Sequence, residues 1–171
     1  SALLAALVAF AAPVAAAEPA DKLQPKVVYL HAGRLLDVPG KPPRGASTVV
    51  ITDGVVTSVS DGTLAAPAGA ATIELGDAFV LPGLTDMHVH LFSDGDPLRA
   101  RLEASTRDRG DAAYLAALHA RQTLEAGFTT VRDLSAPPRG IRALRDAIDA
   151  GAVPGPTIIN AGKMISVSGG H

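Results

Sequence analysis

Cysteine is absent from the 171 residues. That excludes a disulfide scaffold, thiolate metal ligation, a cysteine nucleophile and a lipid anchor attached through a lipobox. Tryptophan is also absent and aromatics make up only 4% of the chain, so stacking platforms for bases or sugars are poorly supplied. Neither sign of charge prevails, with Lys+Arg at 15, Asp+Glu at 17 and a formal net charge of −2. Without a basic field, nucleic acid is not an expected partner. Charged residues amount to 19% and hydrophobic ones to 47%, which excludes general disorder and supports a sizeable core. Ser1 stands where a methionine is expected and His171 follows directly on Gly169-Gly170. Both ends read as cut, and the expectation is an N-terminal fragment of a longer protein.

Residues 1–17, SALLAALVAFAAPVAAA, carry no charge. Roughly 20 apolar residues are needed to span a bilayer, and Glu18, Pro19 and Asp21 end this run early. Pro13 followed by Ala15-Ala16-Ala17 has the A-x-A form of a signal-peptidase site. The segment is read as a signal peptide lacking its basic n-region. The alternative is an Ala-rich helix of the folded domain. The expected mature protein is exported, periplasmic or secreted, and has no stable membrane anchor.

Two patterns follow. Residues 18–81 read as a small antiparallel β module of short strands and turns. Two β-branched runs, 47–52 and 55–60, flank Asp53-Gly54, a strong hairpin signal because both turn residues tolerate positive φ. His31 in the first strand reads as a strand or edge residue rather than a ligand. From residue 82 to 171 strands and helices alternate. Strands are expected at 84–90, 128–132 and 157–161, and helices at 111–126, capped by Asp111, and at 139–150. Ala113, Ala117, Ala120 and Leu124 fall on one face of the first helix, and Ile141, Leu144 and Ile148 on one stripe of the second. Such alternation implies parallel strands with right-handed crossovers, the start of either a doubly wound sheet or a (β/α)8 barrel. A barrel needs roughly 250 residues, so only about its first three units would be present.

The chemistry-bearing segment is His88-Val89-His90. Strict alternation along a strand puts Leu84, Asp86, His88 and His90 on one face. Two imidazoles two residues apart can converge on one ion, and Zn²⁺ accepts neutral imidazole nitrogen. Asp86 is a candidate to orient a ligand from outside the coordination sphere. On spacing alone, H-x-H fits a half-built metal site or an ordinary pair of polar strand residues.

The stretch Val80-Leu81-Pro82-Gly83-Leu84-Thr85-Asp86-Met87-His88-Val89-His90-Leu91 resembles the first barrel strand of the amidohydrolase superfamily, V-x-P-G-[LIF]-x-D-x-H-x-H. Ile51-Thr52-Asp53-Gly54-Val55-Val56 resembles the family's I-x-D-G-x-I hairpin, and residues 124–133 resemble its L-x-x-G-[FV]-T-T-[VI]-R-D strand. Ser168-Gly169-Gly170-His171 resembles a G-G-H segment of the imidazolonepropionase-like subgroup, which includes Xaa-Pro dipeptidases.

The resemblance implies an α/β fold: the first part of a (β/α)8 TIM barrel, preceded by strands of a composite β-sandwich. It implies one or two divalent ions, with zinc expected, and His88 and His90 as first-strand ligands. His171 would contact substrate, or else be an exposed loop histidine. The subgroup's other ligands lie on later strands: a lysine on the fourth, histidines on the fifth and sixth, and an aspartate on the eighth that also serves as base. None falls within this chain, which therefore holds no catalytic residue of its own and is expected to be inactive alone. Lys163 does not match the bridging lysine and reads as a surface residue. Arg132 and Asp133 read as an ion pair or a loop cap, and His119 as a partly exposed helix residue.

The activity implied is metal-assisted hydrolysis of an amide C–N bond, in a small-molecule or dipeptide-like substrate of the Xaa-Pro type. Two other expectations stand beside it: a cyclic amidohydrolase of the imidazolonepropionase type, and a non-catalytic exported metal-binding protein.

Overall fold

The computed structural model describes residues 26–168, apart from 94, 97, 99–101, 103–105 and 107. The expected signal peptide at 1–17 and the Gly169-Gly170-His171 segment lie outside the described residues. Two compact units form, one ending at Val80 and the other beginning at Leu81.

The first unit contains β1 (Val27–Ala32), β2 (Arg34–Leu35), β3 (Ser47–Thr52), β4 (Val55–Asp61), β5 (Ala71–Glu74) and β6 (Phe79–Val80). Its main sheet has the order β4-β3-β1-β5, and β2 pairs separately with β6. The β3–β4 hairpin forms where the β-branched runs predict it. Asp53 and Gly54 take φ of 51° and 82°, the doubly positive pair that matches the twist of a tight hairpin. The module is not purely antiparallel, however. β5 runs parallel to β1, with Tyr29 opposite Thr72, and β6 runs parallel to β2. The connection 62–70 crosses the sheet and returns the chain in the same sense as β1. Strand direction of this kind leaves no mark on a local residue pattern.

His31 sits on the interior strand β1 and is buried. Its Nδ1 lies 2.6 Å from Glu74 Oε1, and its Nε2 donates to the Leu64 carbonyl at 2.9 Å. The ring thus ties β1 to β5 and to the crossing segment. Thr48, also buried, donates to the Gly62 carbonyl and accepts the Leu64 N–H.

The second unit is a βα array: β7 (Leu84–Val89), α1 (Arg109–Glu125), β8 (Phe128–Asp133), α2 (Pro138–Asp149) and β9 (Thr157–Asn160). The three strands are parallel in the order β7-β8-β9. Helix α1 starts three residues earlier than a cap at Asp111 would place it. Asp108 is the N-cap and accepts the Gly110 and Asp111 N–H groups, while Asp111 reaches back to the Asp108 N–H at 3.1 Å. The two aspartates form a reciprocal capping box. Gly127 and Gly151, with φ of 94° and 72°, follow the two helices. α2 carries proline in its first turn, where a missing N–H costs nothing.

The core lies between sheet and helices: Leu91 after β7, Val131 in β8, Ile158 in β9, Ala116 and Ala120 in α1, and Ile141 and Leu144 in α2. Full burial of a side chain such as Val131 or Ile141 contributes about 1.5–3 kcal/mol. The stripe on α2 is the one its periodicity predicts, with Ile148 packed beside it. The face of α1 is shifted: Ala116 and Ala120 are fully buried whereas Ala113 is exposed. Alanine occurs on several sides of this helix, so hydrophobic contrast cannot single out the buried face. No helix among the described residues is long and apolar enough to cross a membrane.

Candidate active site

The three parallel strands end on the same side, and residues leaving β8 and β9 lie beside the H-x-H segment, whose two histidines are exposed. His88 and His90 border one cavity of ≈ 590 Å³, together with Leu134, Ala161, Lys163, Met164 and Ile165. The two imidazole rings stand edge to face, their centroids 5.2 Å apart and their planes at 82°. Their nitrogen donors suit zinc. Two donors are half of a tetrahedral set, and among the described residues no group of three or more His, Cys, Asp or Glu could hold an ion.

Strict alternation fails within β7. Asp86 pairs with Val131 but Val89 with Asp133, so the strand carries one extra residue around Met87 and His88. Such bulges re-aim side chains and favour functional sites. Asp86 is not among the residues lining the cavity that His88 and His90 border. Its Oδ1 accepts the His88 backbone N–H at 2.9 Å. Asp86 therefore meets His88 through the main chain.

Lys163 is exposed, as a surface lysine would be, and yet borders the same cavity. Residue numbering gave no hint of that position, which depends on β9 ending beside β8. Asp133 is a loop cap, its Oδ1 accepting the Ser135 N–H at 3.2 Å and its Oδ2 the Leu91 N–H at 2.8 Å. His119 is half-buried and donates from Nδ1 to the Leu91 carbonyl at 2.9 Å, a role its place in mid-helix did not announce. His171 lies outside the described residues.

Parallel α/β proteins place their sites at the C-terminal ends of the strands, and His88 and His90 lie at that end of β7. Residues 79–169 match the Amidohydrolase family, and the chain belongs to it. A dihydroorotase of Geobacter sp. (strain M21) is 40% identical over 89 residues, covering 50% of this chain and 19% of its own. The ochratoxinase of Aspergillus niger is 28% identical over 148 residues, covering 85% of this chain and 30% of its own. Among solved structures, a Xaa-Pro dipeptidase with methionine bound in its active site superimposes with a TM-score of 0.73 at 34% identity. That alignment covers 85% of this chain and 36% of the dipeptidase. The chain thus spans from about a fifth to about a third of the length of these relatives.

Proposed function

We propose that this chain is the opening part of an exported, metal-dependent amidohydrolase that cleaves amide C–N bonds in dipeptide-like substrates of the Xaa-Pro type. The observation that carries the proposal is the His88–His90 pair on one cavity at the exits of three parallel strands. β7 to β9, with α1 and α2, are read as the first three units of a (β/α)8 barrel, and the β4-β3-β1-β5 sheet as part of a composite sandwich. The likeness to a Xaa-Pro dipeptidase over 85% of the chain supports both the barrel and the substrate class. Export rests on the pattern of residues 1–17 alone.

His88 and His90 would hold a divalent ion, and their nitrogen donors favour zinc. When bound, such an ion supplies Lewis-acid polarisation of an amide carbonyl. Asp86 fixes the His88 backbone. Leu134, Met164 and Ile165 give the cavity apolar walls suited to a hydrophobic side chain, and the Lys163 ammonium offers a counter-charge for a free carboxylate. His171 is proposed, on the resemblance alone, to contact substrate. No residue of the chain is assigned as general acid or base. The proposed partner is a small-molecule or dipeptide-like substrate.

A cyclic amide is the second reading, favoured by the dihydroorotase likeness over half of the chain. Assay of the complete gene product against Xaa-Pro dipeptides and imidazolonepropionate, with and without a chelator, separates the two. Dipeptide hydrolysis that chelation abolishes supports the first. Turnover of the ring substrate alone supports the second. Activity on neither overturns both.

A further inference from the structure

Asp133 ends β8 with its side chain fully buried, and three hydrogen bonds converge on it. Oδ2 accepts the N–H of Leu91, just after β7, at 2.8 Å. Oδ1 accepts the N–H of Ser135, just after β8, at 3.2 Å. Its own carbonyl accepts the N–H of Ala161, just after β9, at 2.9 Å. One residue therefore ties together the exits of all three strands.

Leu91 is held from its other side as well. His119 Nδ1 lies 2.9 Å from the Leu91 carbonyl, and because a carbonyl can only accept, that nitrogen carries the proton. The Val89 carbonyl in turn accepts the Leu134 N–H at 3.2 Å. Both neighbours of His90 are thus pinned, by groups from β8, its exit and α1, while Leu91 itself is buried in the core. The His90 backbone has little freedom to turn.

We propose that Asp133, assisted by His119, is a positioning residue that sets the His90 backbone and through it the mutual placement of the two imidazoles. The proposal rests on the reading of His88 and His90 as metal ligands. Loss of a group that hydrogen-bonds a metal ligand directly typically costs about 10–100-fold in metal affinity, and supports acting one residue away on the main chain are expected at the low end of that range.

The test uses the isotope-labelled 171-residue chain, at a concentration where light scattering shows it monomeric, with nuclear Overhauser contacts between the His88 and His90 rings recorded first without metal. Zn²⁺ is then titrated against the same ring signals. Asp133→Asn and His119→Leu are expected to weaken the inter-ring contact and to lower Zn²⁺ affinity about tenfold. His119→Asn, which places an amide nitrogen near the position of Nδ1, is expected to retain both. Asp133→Asn and His119→Leu chains that stay folded by circular dichroism and keep the ring contact and the affinity would overturn the proposal. Should Asp133→Asn fail to fold, the contrast between His119→Leu and His119→Asn decides. Because the described residues of the unsubstituted chain supply only two of the donors, the metal-free ring contact decides the positioning role where its Zn²⁺ binding is too weak to titrate.

Discussion

Gly83 lies directly against Thr129, so that a β-carbon built on the glycine would overlap Oγ1 and Cγ2 of the threonine and stand 2.7 Å from its Cβ. The two residues belong to the two most distinctive stretches of the chain, one leading into β7 and the other within β8. Leu84 N–H meets the Gly127 carbonyl beside them at 2.9 Å. The glycine of the P-G-L-T-D-M-H-V-H stretch is therefore required by the neighbouring strand, which leaves no room for a side chain. Gly83→Ala should destabilise the chain by about 2 kcal/mol through overpacking. Thr129→Gly in the same chain should recover most of that loss. A double-mutant cycle by urea unfolding checks it, and strictly additive effects would refute the steric account.

The capping box gives a second expectation. Asp108 serves two N–H donors at the start of α1, whereas Asp111 serves one. Asp108→Ala should cost about 1 kcal/mol, Asp108→Ser much less, and Asp111→Ala less than Asp108→Ala. Thermal unfolding followed at 222 nm ranks the three. A larger loss for Asp111→Ala would restore Asp111 as the cap.

In the first unit the sensitive position is the hairpin turn. Gly54 holds φ at 82°, where a β-carbon is disfavoured. Gly54→Ala should cost about 1 kcal/mol and Gly54→Val more. Asp53→Asn should be near neutral, since asparagine also tolerates the left-handed region. Chemical unfolding of the three variants tests this order, and equal stability of Gly54→Val and the unsubstituted chain would contradict it.

A fourth expectation concerns the chain taken alone. Leu84, Met87 and Ile159 on the strands of the second unit are 45%, 50% and 49% exposed, and Ile165 is 99% exposed. Exposed apolar surface beside unpaired strand edges promotes association. The purified 171-residue chain should show no Zn²⁺-dependent dipeptide hydrolysis and should self-associate as its concentration rises. Light scattering and a coupled proline-release assay measure these outcomes. Hydrolysis by the chain, abolished by a chelator, would overturn the expectation of inactivity.

Local chemistry made much of this molecule legible before folding. Asp53-Gly54 dictates its hairpin because few other residues accept two successive positive φ angles. Ile141, Leu144 and Ile148 dictate the buried stripe of α2 because their spacing matches one helical face. The H-x-H stretch supplies the candidate ligands because two imidazoles two residues apart on a strand can converge on one ion. In α1 the same reasoning misjudges the face, since alanine provides no contrast around the helix. It also assumes strict alternation from Asp86 to His90, whereas the register against β8 shifts between Asp86 and Val89, a feature that exists only once a strand meets its neighbour.

The residue pattern by itself therefore determined the alternation of strands and helices, the hairpin, and the two imidazoles as the candidate ligands. The tertiary structure alone decided the parallel sense of β5, the bulge beside His88, the place of Lys163 on the cavity, and the convergence of Asp133 and His119 on Leu91. Those last two contacts join residues 42 and 28 positions apart. Periodicity reports on forces acting within a few residues, whereas a buried carboxylate meets its donors only after the strands that carry them have packed side by side.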